Sequence, residues 1–262
     1  MRHATHPGID RRLCRRQCLR LSLGALAFTS TALPEIVRAQ SKLTLRRVGI
    51  FSLLGDSVRI VARETQEALF KDVGMDAVAL EVVGRVLQGS QPQAELRHYR
   101  APAEVDVQDQ LRIGLAAARR AELPAWVTDA VREVALSHVL LVTSSTGVME
   151  FRTALNEVVG NDNVTGIGFV VRGAGRTKSL QTGAVSTGYL APFVQLRLTL
   201  IDLAGPRVVH STSLIEGYIV GASAAESPDP WRFISRQEKA LALDTLMRRV
   251  VNRGMQEVLA RL

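Results

Sequence analysis

Residues 192–214 read PFVQLRLTLIDLAGPRVVHSTSL and contain the clearest strand pattern in the chain. In the first half of this stretch, apolar residues at alternate positions face one way: Val194, Leu196, Leu198 and Leu200. Polar residues lie between them, which is typical of an antiparallel strand with one exposed face. The turn residues 203–206 then lead into a second long strand. This stretch therefore predicts a half-exposed antiparallel sheet in the second half of the chain.

The first half of the domain mixes strand and helix patterns. Residues 45–54 predict a buried strand. Residues 57–63 favour a strand that returns along it, with a helical face as the alternative. Gly55-Asp56 between the two segments then predicts a hairpin turn. Residues 77–88 fit either a strand or a short helix, and residues 89–102 predict a surface loop.

Caps and apolar periodicity predict three helices around one further strand, residues 138–145. Asp106 caps a helix whose predicted inner face has four members: Val107, Leu111, Leu115 and Ala118. Pro124 opens the next helix. The last helix begins with a capping box at residues 235–238. Its predicted packing face consists of Leu243, Leu246, Met247, Val250, Val251 and Val258. Together these elements predict an α/β or α+β fold with a mixed sheet, packed helices and a C-terminal helix.

The first 39 residues have the three parts of a secretory signal. A basic head is followed by an apolar run of 13 residues, Leu21–Leu33, which is too short to span a bilayer comfortably. Val37-Arg38-Ala39 then supplies small residues for a signal peptidase, which would cut between Ala39 and Gln40. We therefore expect residues 1–39 to be removed and residues 40–262 to form a single periplasmic domain, with an uncleaved N-terminal anchor as the alternative.

The basic head resembles a twin-arginine export motif. Arg15-Arg16 is followed by Gln17, Cys18, Leu19 and a further arginine, and only Cys18 departs from the motif, which usually has Phe there. Arg15, Arg16 and Leu19 are therefore the predicted export residues. Export through the general secretory route is the alternative.

Removal of the signal changes the charge and the cysteine content of the domain. The signal holds both cysteines, seven of the 33 basic residues and two of the 25 acidic residues, so the net charge falls from +8 to +3. A weak net charge without a basic cluster argues against nucleic-acid binding. The domain also contains no second apolar run of membrane length.

Gly55-Asp56-Ser57 resembles the motif in which one family of serine hydrolases presents its nucleophile. Such a serine needs a histidine to accept its proton. In that family the histidine comes three residues after a C-terminal aspartate, but the residue three after Asp229 is Arg232, which cannot act as a base. Gly160-Asn161-Asp162 is one residue short of the family's oxyanion motif. Ser57 therefore stays an alternative nucleophile, and catalysis is not the leading hypothesis.

No phosphate, metal or cofactor site is predicted. Residues 173–179 resemble a phosphate loop, but Thr177 stands where that loop has glycine and a strand follows, so we predict a solvated loop. The domain has three scattered histidines and no cysteine, which gives no metal-ligand spacing. His138 and His210 lie in strand patterns and are expected to be structural.

Two resemblances extend these expectations. Residues 46–61, RRVGIFSLLGDSVRIV, resemble the start of a group of exported bacterial proteins without an assigned activity. Residues 138–145, residues 192–214 and the terminal helix are similar in pattern to the periplasmic domains of curli-assembly and penicillin-binding-protein-activator lipoproteins. This chain lacks their lipobox cysteine at the cleavage site, and no functional residue is carried over.

These observations favour a soluble, non-enzymatic envelope protein that binds another envelope protein or assembles with itself. Two alternatives stay open at this point. One is a serine hydrolase that uses Ser57. The other is a module that binds a small molecule or a glycan.

Overall fold

The computed structural model describes residues 45–55, 58–61, 65–67, 74–152, 158–178, 185–220, 230–232 and 234–262. These residues form nine strands and four α-helices. The strands are β1 Arg47–Ser52, β2 Val58–Val61, β3 Thr65–Glu67, β4 Glu95–Arg100, β5 His138–Ser144, β6 Thr146–Arg152, β7 Val158–Lys178, β8 Val185–Asp202 and β9 Arg207–Gly217. The helices are α1 Met75–Ser90, α2 Val107–Arg120, α3 Ala125–Val134 and α4 Arg236–Leu259, and Pro230–Arg232 form one 3-10 turn.

The nine strands form one mixed sheet with the order β3-β2-β7-β8-β5-β1-β4. Strand β6 pairs with β7, and β9 pairs with β8. Strand β1 is parallel to both of its neighbours, whereas β5, β7 and β9 are antiparallel to β8. The predicted fold class, with a mixed sheet and a C-terminal helix, is confirmed.

The long strand β8 has two different neighbours on the same side. Its C-terminal part, from Leu196 to Asp202, pairs with β5, and the part before Leu196 pairs with β7. The exchange occurs at Gln195, whose carbonyl accepts the backbone N–H of Ser145 at 3.1 Å. On its other side β8 pairs with β9 along its C-terminal half.

Helices α1 and α4 pack against the apolar face of the sheet. All six predicted packing residues of α4 are buried, and they share one apolar cluster with Val194, Leu196, Leu198 and Leu200 of β8. The capping box of α4 is also present: Ser235 Oγ accepts from the N–H of Glu238, and the Glu238 carboxylate accepts from the N–H of Ser235. Local periodicity and capping therefore located this helix correctly.

The hairpin predicted at Gly55-Asp56 is wrong. Strands β1 and β5 are parallel, β5 and β7 are both antiparallel to β8, and β2 is parallel to β7, so β1 and β2 run in the same direction. Both edges of β1 are already occupied by β4 and β5, which leaves no place for β2 beside it. Gly55 still has a left-handed backbone, with φ +65°, but it lies in a link between two strands of one direction.

Two more predictions change in the first half of the domain. Residues 77–88 lie inside α1, so the helical alternative is confirmed. The predicted surface loop at residues 89–102 contains strand β4, which pairs with β1 at the edge of the sheet. An edge strand of polar residues has no apolar alternation, and only pairing with β1 reveals it.

The sheet is also less exposed than the alternation in β8 predicts. Gln195 and Thr199, on its polar face, are buried because α2 packs over β5, β8 and β9. The predicted inner face of α2 is wrong for the same reason: Leu115 is 40% exposed, and the buried residues of α2 are Gln110, Gly114 and Ala117. The polar surface of the strands therefore packs against a surface of α2 that consists of polar and small residues.

Other local predictions are confirmed. Asp106 caps α2 through its carboxylate, which accepts the N–H of Asp109 at 2.8 Å. Pro124 immediately precedes α3, and residues 203–206 form the turn between β8 and β9. The glycine-rich residues 173–178, predicted as a loop, instead continue strand β7, where they pair with the start of β8.

Candidate interaction surfaces

Ser57 and Asp229, on which the hydrolase hypothesis depends, lie outside the described residues, as do Arg15, Arg16, Leu19, Ala39 and Gln40 of the predicted signal. Gly55 is described, and Asp76 at the start of α1 accepts its N–H at 3.0 Å. His98 packs against α1 at Gly84, eight residues beyond Asp76. Eight helical residues span about 12 Å, so His98 does not adjoin Gly55.

The other two histidines, His138 and His210, lie in strands β5 and β9. His138 Nδ1 is 2.9 Å from Ser137 Oγ, and burial lowers the pKa of His138. The Nε2 atoms of His138 and His210 are buried and have no hydrogen-bond partner within the described part of the chain. Both residues lie in strands, as predicted, and the structure shows that these strands, β5 and β9, flank β8.

Gly160-Asn161-Asp162 lies within strand β7. Asp162 forms an ion pair with Arg172 of the same strand. Burial, together with the Asp162 charge, raises the pKa of the neighbouring Tyr189. An extended, paired strand of this kind does not present backbone N–H groups as an oxyanion loop does.

The described residues contain no group of three or more potential metal ligands of the His, Cys, Asp and Glu types. In the same part of the chain, no helix is both long enough and apolar enough to cross a membrane.

A groove with a volume of about 360 Å³ lies between α2 and the segment that joins it to α3; we call it the α2 groove. Its apolar lining consists of Val105, Ile113, Ala116, Leu123, Pro124 and Trp126. Its charged residues are Asp109, Arg112 and Glu122. The charges are exposed, and Arg112 forms an ion pair with Asp109 at 2.9 Å. The groove therefore combines an apolar lining with a rim that carries both signs of charge.

Local structure positions this groove. Asp106 starts α2 at one end, and Ala121 ends it with a left-handed backbone, φ 54°, before Pro124 starts α3. Trp126 packs against Phe51 of β1, with ring centroids 5.7 Å apart, and Phe51 stacks on Tyr99 of β4. The wall formed by Trp126 is thus fixed to strands β1 and β4 at one edge of the sheet.

The opposite side of α2 rests on a buried polar cluster. Ser144 donates to Gln110 at 2.6 Å, and Gln195 donates to Ser145 at 2.8 Å. Thr143 Oγ1 and Gln195 Oε1 are buried and, among the described residues, have no hydrogen-bond partner. Gly114 lies directly over Thr143, where a Cβ would overlap its hydroxyl. The close approach of α2 to the sheet therefore requires glycine at this position.

Several edges of the sheet are unpaired within the described residues. Strand β4 pairs only with β1, β6 only with β7, and β9 only with β8. Two large apolar side chains near the β6 edge are exposed, Val148 by 66% and Val158 by 52%. Edge strands present backbone donors and acceptors to other chains, so these edges are further candidate surfaces.

No protein-family model matches this chain, and no curated protein matches its sequence. Among solved structures, it is similar to protein XCC0632 from Xanthomonas campestris, of family model DUF330, with a TM-score of 0.35 and 9% identity over 86% of this chain and 89% of the other. It is also similar to the PelC dodecamer from Paraburkholderia phytofirmans, with a TM-score of 0.27 and 13% identity over 80% and 89% of the two chains. A Helicobacter pylori protein described as a neuraminyllactose-binding hemagglutinin homologue matches with a TM-score of 0.34 and 8% identity over 84% and 86%. At these scores no activity, ligand or assembly state is transferred, and the resemblance to curli-assembly and penicillin-binding-protein-activator domains stays a prediction.

The sequence did not reveal the α2 groove. The residues that line the groove come from two helices and their connection. The sequence pattern did not place several of them on any particular face of a helix. The sequence also contains no local signal for the unpaired sheet edges, because strand pairing depends on segments that are remote in sequence.

Proposed function

We propose that this chain is an exported envelope protein that binds a partner protein through the α2 groove. Its occupant is a partner segment that inserts one apolar side chain and carries charged groups on either side of it. The observation that carries this proposal is the groove itself, with its apolar lining and a rim of both charge signs. Export is supported by the sequence of residues 1–39.

The shape of the groove favours a protein segment over an enclosed small ligand. Small-molecule sites typically measure about 300–1,000 Å³ and bury most of their ligand. The α2 groove, at about 360 Å³, is near the lower end and is open to solvent along one side. A pocket of this kind is suited to one anchoring side chain of a larger interface.

The exposed charges at the rim indicate which charged groups the partner segment needs beside its apolar side chain. Asp109 and Arg112 are exposed and paired only across the helix surface, where ion pairs contribute little to stability. They can therefore exchange their mutual contact for contacts with a partner at low cost. Such charges affect the rate and specificity of association more than its strength.

The test uses a photo-cross-linking amino acid at Ala116, inside the groove, in living cells. The matched control position is Leu115, which is adjacent in sequence, exposed and outside the groove. We expect an adduct at Ala116 only, whose cross-linked segment contains an apolar residue beside a charged one. A synthetic peptide of that segment should then bind the purified protein, and Ala116→Trp should weaken binding by at least about tenfold, whereas Leu115→Trp should not. Equal adducts at both positions, or unchanged peptide binding by Ala116→Trp, would overturn the proposal.

A small-ligand module is the second candidate, since the same groove lies within the lower range of ligand pockets. It predicts that a ligand raises the melting temperature of the wild type and not that of Ala116→Trp. The serine-hydrolase alternative predicts labelling by a fluorophosphonate probe that Ser57→Ala abolishes. No described residue supports it.

A further inference from the structure

We infer that residues 122–134, which comprise α3 and the connection before it, form a flap that swings on Ala121 and Ala135 and opens the α2 groove. This inference deepens the proposed function and rests on it for the purpose of the motion. The motion itself is measured in the protein without a partner. It can therefore fail while the groove still binds a partner, and the reverse also holds.

The two hinge residues have a backbone conformation that alanine adopts only at a cost. Ala121 ends α2 with φ 54°, and Ala135 ends α3 with φ 50°. In the described part of the chain, no other residue except glycine has a positive φ. Helices commonly end in this left-handed conformation, but glycine usually supplies it because a Cβ is crowded there. Both ends of the flap therefore hold local strain that a change of backbone conformation at the hinge relieves.

Few contacts hold the flap against the rest of the fold. Val127 is the one fully buried residue of α3, and three other apolar side chains of this helix are only partly buried. Trp126 packs on Phe51 of β1, and a swing of the flap separates these two rings. The backbones of α1, α2 and α4 run close to strands of the sheet, whereas that of α3 does not. An element with so few buried contacts separates at a lower free energy than the whole domain unfolds.

One polar contact holds the second hinge in the closed form. The guanidinium of Arg47, at the start of β1, donates to the carbonyl of Val134 at 3.2 Å. Carbonyls in the last turn of a helix have no partner within the helix, and a positive charge there is favourable. Arg47 is exposed, however, so water competes for the same carbonyl. The contact therefore favours the closed flap without locking it.

The swing controls access to the α2 groove. The flap contributes Leu123, Pro124 and Trp126 to the lining, and α2 contributes Ile113 and Ala116 to the facing wall. Because Pro124 has a fixed φ, the connection is stiff and moves together with α3. A swing on the hinges thus separates the two walls. The anchoring side chain of a partner enters the open groove, and the flap closes on it.

The first test places a thiol at Val127, because residues 40–262 contain no cysteine. Val127 is fully buried in the closed form, so a thiol reagent reaches Val127→Cys only when the flap opens. The matched control is Val251→Cys, at an equally buried position of α4 that global unfolding exposes. Under native conditions, Val127→Cys should react at least about tenfold faster than the control and depend less on denaturant. Equal rates would overturn the inference.

Glycine at the hinges provides the second test. In the Val127→Cys protein, Ala121→Gly and Ala135→Gly each remove the crowded Cβ and so favour the closed flap. Each should slow the thiol reaction about threefold. Ala130→Gly is the same substitution at a helical position inside the flap, and it should not slow the reaction. Hinge variants that react as fast as their parent, or equal slowing by Ala130→Gly, would contradict the assignment of the hinges.

Hydrogen exchange of the wild type needs no variant. The N–H of Leu136 donates across the second hinge to the Val131 carbonyl at 3.2 Å, and Leu136 is buried. The N–H of Leu53, also buried, donates to Val142 at 2.9 Å and lies outside the flap. We expect the Leu136 amide to exchange at least about tenfold faster than the Leu53 amide. Equal protection of the two amides would show that the flap does not open separately, whatever the cross-link at Ala116 shows about a partner.

Discussion

Asp76 is a buried carboxylate that connects the start of α1 to the residues that follow β1. It is 6% exposed, and its oxygens accept the N–H groups of Leu54 at 2.9 Å and Gly55 at 3.0 Å. These N–H groups follow the end of β1 and have no strand beside them to pair with. Asp76 therefore takes the role of the missing strand and holds the β1–β2 link against the start of α1.

We predict that Asp76→Ala lowers the free energy of unfolding by about 3 kcal/mol, because it leaves two backbone N–H groups unsatisfied in a buried region. Asp76→Asn should cost less, since one oxygen remains as an acceptor. Denaturant unfolding followed by circular dichroism measures both. Glu104→Ala, at an exposed turn, is the control and should change stability by less than about 0.5 kcal/mol. A change of that size for Asp76→Ala would contradict the prediction.

His138 gives the fold a pH dependence. Burial lowers its pKa in the folded state, against the opposing charge of Asp202, while the unfolded chain has the ordinary value of about 6.5. Below that pH the unfolded state binds a proton that the folded state resists, so stability falls as pH falls. We expect unfolding free energies measured from about pH 7.5 to about pH 5.5 to decrease more steeply in the wild type than in His138→Asn. Equal slopes would show that His138 has no part in the pH dependence.

Among the helices, α4 shows how close packing overrides local helix propensity. Gly254 lies on its inner face, and a Cβ there would overlap Leu198 of β8 and Leu214 of β9. Glycine normally weakens a helix relative to alanine. Here the short distance between α4 and the sheet makes glycine the residue that fits.

We predict opposite effects for two helical glycine substitutions. Gly254→Ala should destabilise the protein by about 1–3 kcal/mol through overpacking. Gly89→Ala, near the exposed end of α1 with no atom within contact distance, should be neutral or stabilise it by up to about 1 kcal/mol. Thermal and denaturant unfolding of both variants provide the comparison. A stabilising Gly254→Ala would show that α4 packs less closely than the structure shows.

The elements differ in how far the sequence could predict them. The alternation of Val194 to Leu200 and the capping box at Ser235 are local patterns, and both located their elements correctly. The inner face of α2 was wrong because its apolar residues were assumed to face the core. The strand surface beneath it is polar, with Thr143 and Gln195, so Gln110 and Gly114 face inward and Leu115 outward.

At the scale of the whole molecule, two helices with many buried residues, α1 and α4, and two helices with few, α2 and α3, pack against the sheet. Helices α1 and α4 share the larger apolar cluster with β8, whereas α2 buries only Gln110, Gly114 and Ala117. The α2 groove lies on the less apolar layer. A layer with fewer buried apolar contacts opens at lower free energy, which suits a surface that adapts to a partner.

Export concerns the whole chain, and it stays a prediction from residues 1–39. Replacing Arg15 and Arg16 together by lysine should retain the precursor in the cytoplasm if the twin-arginine route is used. The matched control replaces the neighbouring pair, Arg11 and Arg12, by lysine and should leave export intact. Cell fractionation followed by intact-mass analysis would give a mature chain that starts at Gln40. Equal export of both double variants would point to the general secretory route.

The sequence by itself determined the class of fold, most of the long elements and the helix caps, because these depend on residues within a few positions of one another. Only the tertiary structure decided that β1 and β2 run in one direction, that β4 forms an edge, and that Gly55 is held by Asp76. It also decided where the α2 groove and the free edge of β9 lie. Each of these features depends on which segments, distant in sequence, pair or pack with one another in the fold. Hydrophobic alternation is the same whichever neighbour a strand pairs with, so it carries no information about that choice.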